Sequence, residues 1–243
     1  MLASERFRSA GILLHDETFV RWTLPELVGW ANEGLKAIVL VKPSAKSSSV
    51  ILSLAVGTLQ RLPVASLPAD PIYLALLRLV RNLKTTAETP RVGGRVIRPT
   101  TRDLLDASTP NWHDQAITPY KAEVRQFVFD EANPREYYVY PGNNGSGIVE
   151  AVVSRLPNLI AVATVGADPL LLASYDVAVD IDDLYAGPLL DYIAYRAYAK
   201  DESYAGNAGR AQFHYQKFAE ALGVKVQVES AVSPNARVGI TAT

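Results

Sequence analysis

The sequence predicts an α+β protein, with helix pairs at the two ends of the chain forming a bundle and an antiparallel β-rich domain inserted between them. Three observations carry this expectation. Apolar residues recur at helical spacing through the first 45 residues and again after Asp180. Between these stretches the pattern changes to short β-branched and aromatic runs punctuated by Gly, Pro and Asn. Amphipathic helices at both ends can bury their stripes against one another, which leaves the middle of the chain as an insertion. The expected boundaries are 1–45 and 180–223 for the helical domain, 46–179 for the β-rich domain and 224–243 for a C-terminal arm.

Each element has a local reason. Ser4 is placed to cap a helix reaching about His15, with Phe7, Ala10, Gly11 and Leu14 on one stripe. Asp16–Trp22 turns the chain. Thr23, Pro25 and Glu26 form a capping-box signature, and Pro43 ends the helix that follows. Ser49–Pro63 reads as two strands around a turn at Val56-Gly57-Thr58. Ile72–Leu83 reads as a strand, because Pro71 precedes it and a Gly-rich basic segment follows. Thr100–Ser108 forms a short capped helix. Ala122–Asp130 and Arg135–Pro141 are strands separated by a turn over 130–135. Gly142–Gly147 is a hairpin turn into a strand that puts Val149, Ala151 and Val153 on one face. A helix is expected over Pro188–Lys200, then a tight turn at 201–203. The last helix carries Ala208, Ala211, Tyr215, Phe218 and Leu222 on one stripe and stops at Gly223. Val224–Thr243 alternates like a strand without a partner and reads as an irregular arm.

Composition narrows the function. The chain has 243 residues, of which 49% are hydrophobic and 20% charged, which suits a folded protein with a sizeable core. No cysteine is present, so disulfides and thiolate metal sites are excluded. The most apolar run, Leu159–Ala167, is much shorter than the roughly 20 residues a spanning helix needs, so no membrane association is expected. The N-terminal stretch carries charge inside its apolar pattern and does not read as a signal peptide.

The net charge of −1 hides an uneven distribution. Arg61–Arg102 holds eight basic and two acidic residues, and Asp176–Glu202 holds seven acidic and two basic ones. Opposite patches on one chain suit a partner with the converse pattern, including another copy.

Residues that could carry chemistry have simpler structural readings. Asp176, Asp180, Asp182 and Asp183 could hold a hard cation, but their spacing is not that of a calcium loop. Capping a helix start explains them better. Gly142–Gly147 has no Lys-Ser/Thr after it and lacks the nucleophile-elbow pattern around Ser146. His15, His113 and His214 are scattered. Trp112 is expected to plug a gap between a helix and the β-rich block. Asp130, Glu131 and Glu136 are the only candidate carboxylates for a rival reading, a carbohydrate-binding or hydrolytic tail-associated protein. No catalytic, metal or cofactor site is assigned. The tyrosines at 185, 192, 195, 198, 204 and 215 cluster on the C-terminal hairpin, whose net acidity argues for a protein interface rather than base stacking.

Three segments in order, Arg21–Pro43, Asn133–Pro141 and Asp182–Gly223, resemble the head-to-tail adaptor proteins of tailed phages, closest to the tail-tubular-A-like group of short-tailed phages. The likeness covers most of the chain and is weakest over Leu159–Val179, which is longer and more apolar than the family pattern. The resemblance implies a structural, non-enzymatic virion protein, assembled in the host cytoplasm and residing at the head–tail interface. It implies a dodecameric ring beneath the portal protein, which passes the genome without sequence preference and receives nozzle or tail-fibre proteins on its far side. It carries no cofactor. The candidate interface residues are Arg91, Arg95, Arg98, Asp182, Asp183, Asp191, Tyr192, Tyr195, Tyr198, Tyr204 and Tyr215.

Overall fold

Thr23 begins an 18-residue helix as its spacing predicts: its backbone N–H reaches the Glu26 carboxylate at 3.2 Å and Pro25 occupies the first turn. The computed structural model describes residues 1–67, 70–129, 132–201, 204 and 206–232, with the backbone alone for 224–232. These residues are α+β. In chain order they form α1 (Ala3–Leu14), α2 (Leu24–Val41), β1 (Ser47–Ser53), β2 (Val56–Arg61), β3 (Tyr73–Leu83), β4 (Gly93–Val96) and β5 (Arg98–Pro99). There follow α3 (Arg102–Ser108), β6 (Gln126–Phe129), β7 (Glu136–Asn144), β8 (Ile148–Arg155), α4 (Ala186–Lys200) and α5 (Asn207–Val232). The chain divides into two compact units, one comprising residues up to Ala45 and from Pro157 onward, the other Lys46–Leu156.

In the first unit α4 is the hub, touching α1, α2 and α5. Leu189, Ile193, Ala194 and Ala197 are fully buried on it. Helices α2 and α4 approach so closely at Gly34 that an added Cβ would meet Leu189 Cδ1 at 2.9 Å and Tyr192 Cδ1 at 3.0 Å. Trp22 locks the turn before α2 onto α4 by donating its indole N–H to the Ala197 carbonyl at 3.1 Å. That turn is shaped by Asp16, whose carboxylate accepts the N–H groups of Val20, Arg21 and Trp22.

The start of α1 differs from expectation. Ser4 lies inside the helix and is buried, and Glu5 bonds the Leu2 N–H instead. The helix starts earlier because Met1–Ala3 run antiparallel to Val177–Val179, with Ala3 N–H to Val177 O at 2.9 Å and Val179 N–H to Met1 O at 3.0 Å. Asn32 likewise exchanges two bonds, of 3.0 and 2.7 Å, with the Ile160 backbone. These bonds explain why 157–179, assigned from sequence to the β-rich domain, falls in the first unit.

The last helix also departs from expectation. It passes through Gly223 to Val232 instead of stopping there, so 224–232 is helical and not an irregular arm. A glycine inside a helix costs only about 1 kcal/mol relative to alanine, and each further residue adds a backbone bond. The remainder of the expected arm, 233–243, lies outside the described residues, as do 202 and 203 of the turn before the helix. The buried stripe of α5 is Asn207, Ala211, His214, Phe218 and Leu222; Ala208 and Tyr215 face outward. Partnered polar residues occupy the inner face, which a hydrophobic count cannot register.

The second unit holds two four-stranded sheets, ordered β1-β8-β3-β4 and β2-β7-β6-β5. All pairings are antiparallel except β5 with β6. They share one core, centred on Leu76, Leu79, Tyr137, Val139, Val149 and Val153. The β8 face predicted from alternation is correct, since Val149, Ala151 and Val153 are all fully buried. The two predicted turns are not hairpins. Strands β1 and β2 lie in different sheets, and so do β7 and β8. The first connection is at Leu54-Ala55, two residues before the expected turn. Alternation fixes which face is buried but not which strand lies alongside.

Both crossings meet at one corner, where Leu54 N–H bonds Gly147 O at 2.9 Å. Asn143, fully buried, holds it. Its amide donates to the Lys121 and Ala122 carbonyls at 3.1 and 3.0 Å, and its oxygen accepts from Gly145 and Gly147 at 2.8 and 3.1 Å. Gly147 is required beside it, because a Cβ there would lie 2.1 Å from Asn143 Nδ2 and 2.6 Å from the Ala122 carbonyl oxygen. Asn143→Ala is expected to destabilise the protein by about 2–4 kcal/mol, since it strands several buried backbone groups. Gly147→Ala should destabilise it too, and urea denaturation midpoints check both.

Candidate interaction surfaces

The tyrosines of α4 and α5 divide into two sets. Tyr185 and Tyr198 are core residues. The Tyr198 ring stacks on His214 and meets Trp22 edge-on, and its hydroxyl reaches the Leu13 carbonyl at 3.4 Å. Tyr192 is half-buried, wedged against Gly34 and Phe218. Tyr195 and Tyr215 pair ring to ring at 5.1 Å over a shallow hollow of about 280 Å³ floored by Ala199, Ala208 and Ala211. Tyr204, Phe213 and Tyr215 are at least half exposed. The outward aromatic surface is therefore Tyr195, Tyr204, Phe213 and Tyr215. Phe213 was missed in the sequence because only tyrosines were counted.

The charged candidates divide in the same way. Asp191 is engaged inside the unit, its carboxylate 2.8 Å from His214 Nδ1. Asp182 is exposed and caps the turn before α4 by accepting the Leu184 N–H at 2.8 Å. Asp183 is exposed and pairs with the Met1 amine. The α2–α4 contact is tied by Arg196 to Glu33 at 2.7 Å and by Lys200 to Glu26. The Lys200 bond, against a smaller opposing effect of burial, holds the Glu26 carboxyl below its ordinary range.

In the second unit Arg91 is not a free surface cation. Its guanidinium binds Glu88 at 2.6 Å and Glu150 at 2.9 Å, and Arg81 binds the other Glu150 oxygen at 2.7 Å. Arg95 and Arg98 are exposed and line a cleft of about 380 Å³ together with Arg125, Gln126 and Tyr140. Arg125 was not singled out in the sequence, because it comes from a distant strand that only the fold brings alongside.

Residues that might suggest catalysis are absorbed by packing. Trp112 is fully buried against Leu105 and Val128, as expected of a plug, and donates to Asp106 at 2.7 Å. His113 lies on Trp112 and bonds Thr58 at 2.8 Å; burial pushes its pKa down, aided by the charge of Arg102. Glu136 is ion-paired with Arg61 at 2.8 Å. The other two carboxylates of the rival reading, Asp130 and Glu131, lie outside the described residues. Among the described residues no helix is long and apolar enough to cross a membrane.

A model of the SU10 adaptor protein family matches residues 1–238. The chain belongs to that family. The adaptor is thus a phage structural protein, a virion component of a non-enzymatic family. No curated protein sequence matches the chain. Family membership implies association with other virion components such as the portal and tail, and it gives no support to the carbohydrate-binding or hydrolytic alternative.

Glu150 shows how the adaptor's internal charges affect stability. Burial alone would raise its carboxyl pKa, but the bonds from Arg81, Ser49 and Arg91 outweigh this and bring it below the ordinary value of 4.5. A carboxylate depressed in the folded state stabilises above its unfolded pKa and loses that contribution as pH falls. Glu150→Gln is expected to cost about 1–3 kcal/mol at neutral pH. The gap to the parent should narrow as pH falls below about 4, as read from denaturation midpoints at several pH values.

Proposed function

We propose that the adaptor closes into a dodecameric ring beneath the portal protein, as in the tail-tubular-A-like group of short-tailed phages. In this reading the helices form a bundle that makes the ring wall, and the β-rich unit is an insertion offering a second contact surface. Genomic DNA passes through the channel in weak, sequence-independent contact, and nozzle or tail-fibre proteins attach to the far side. The particle is assembled in the host cytoplasm, and the adaptor resides at the head–tail interface. The observation that carries the reading is the family match over 1–238.

The surfaces left over from folding fit this role. Tyr195, Tyr204, Phe213 and Tyr215 present aromatic area without an internal partner large enough to cover it, and such residues are favoured at protein interfaces. Arg95, Arg98, Asp182 and Asp183 supply exposed charge of both signs. Arg91, Asp191 and Tyr198 serve the interior instead. A heterologous contact whose rotation closes gives a ring.

Native mass spectrometry and negative-stain imaging of the purified chain, with and without portal, test the proposal. Closed rings that seat on the portal are expected, and Tyr195→Ala with Tyr215→Ala should weaken assembly at least tenfold while leaving the fold intact. Isolated chains under both conditions would overturn it.

A further inference from the structure

We infer that the three-arginine cleft of the second unit is the receptor for an extended acidic segment, Asp176–Asp182, of a neighbouring copy. The inference rests on the head-to-tail self-contact proposed above and assigns residues to its two sides.

The cleft is built by backbone geometry. Arg98 N–H bonds Arg125 O at 3.0 Å and Arg125 N–H bonds Tyr140 O at 2.8 Å, so these residues lie side by side on adjacent strands. Arg95 is added from the other sheet by Asn82, which is buried. The Asn82 amide donates to the Arg95 carbonyl at 2.9 Å and to the Val124 carbonyl at 2.7 Å, and its oxygen accepts the Val124 N–H at 2.8 Å. One interior side chain thus sets the spacing of three surface guanidinium groups.

No carboxylate lines the cleft. Arg61, Arg81 and Arg91 of the same unit are all ion-paired; among the described residues Arg95, Arg98 and Arg125 are not. The cleft also lies at open sheet edges, since β4 is the last strand of one sheet and β5 of the other, and every β4 residue is exposed. An open edge flanked by arginines fits an extended peptide bearing carboxylates, held by main-chain bonds and by forked guanidinium contacts.

The chain carries such a peptide. Over 175–182, Tyr175, Val179 and Ile181 are buried, while Asp176, Ala178 and Asp182 face outward and Asp180 is partly exposed. This alternation places Asp176, Asp180 and Asp182 along one side of an extended ribbon, with neighbours on that side about 7 Å apart. Val177–Val179 already pairs with Met1–Ala3 on one edge, which holds the ribbon extended before any partner arrives.

A labelled peptide of residues 174–184, titrated onto the full chain and followed by fluorescence anisotropy, tests the assignment. Saturable binding is expected. It should weaken at least tenfold with Arg95→Glu/Arg98→Glu/Arg125→Glu, and equally when the three peptide aspartates become asparagine. It should also fall as salt rises from about 0.1 M to about 1 M, where the screening length shrinks from about 10 Å to about 3 Å. Circular dichroism confirms that the variant is folded. In the ring, the arginine-reversed chain and an Asp176→Lys/Asp182→Lys chain should each fail to assemble alone and assemble when mixed. Absent peptide binding, or equal binding to the reversed variant, overturns the inference whether or not rings form. So does a DNA duplex that binds the cleft, in an arginine-dependent way, more tightly than the peptide. Peptide binding without any rings would count against the ring and leave the cleft assignment standing.

Discussion

The buried face of α4 is the constraint on which the first unit depends. Leu189, Ile193, Ala194 and Ala197 have no exposed surface, and they are covered by helices from both ends of the sequence. Removing them from water contributes about 25 cal/mol for each Å² of apolar area buried, and that gain is realised only if residues before 45 and after 157 come together. Gly34 permits the approach, and Trp22, Glu26 and Glu33 fix the angle with directional bonds to Ala197, Lys200 and Arg196. The residues facing away from α4 are left to be satisfied from outside.

The second unit depends on a different kind of constraint. Its two sheets exchange strands at a corner where the ladder bonds must stop and restart. Asn143 supplies the missing partners there, and Asn82 does the same between the sheet edges. Both side chains are buried and their bonded groups are paired, which is the condition under which an interior amide specifies a structure instead of weakening it. Surface function follows from this, because Asn82 places the arginines that the solvent face presents.

Much of this was legible in the sequence where the signal is local. The capping box at Thr23 and Glu26, the strand at β3 and the buried face of β8 follow from spacing alone. Sheet membership was not legible, since alternation in β1, β2, β7 and β8 is equally compatible with a hairpin and with a crossing. The inner face of α5 was misjudged by about one position because Asn207 and His214 look like surface residues until Asp201 and Asp191 are seen beside them. Arg91 and Asp191 were read as free charges for the same reason: an ion pair between distant positions leaves no trace in composition. The aromatic surface was partly legible, as clustered tyrosines, but which rings point outward depends on helix rotation.

The central claim is that the aromatic and ionic groups left outside these two cores are completed by other polypeptides. Hydroxyl-radical footprinting of the aromatic residues, in the free chain and in assembled particles, addresses it most directly. Tyr195, Tyr204, Phe213 and Tyr215 should lose reactivity on assembly, while Tyr198, already buried, should react equally little in both states. Unchanged labelling of all four outward rings within assembled particles would contradict the account.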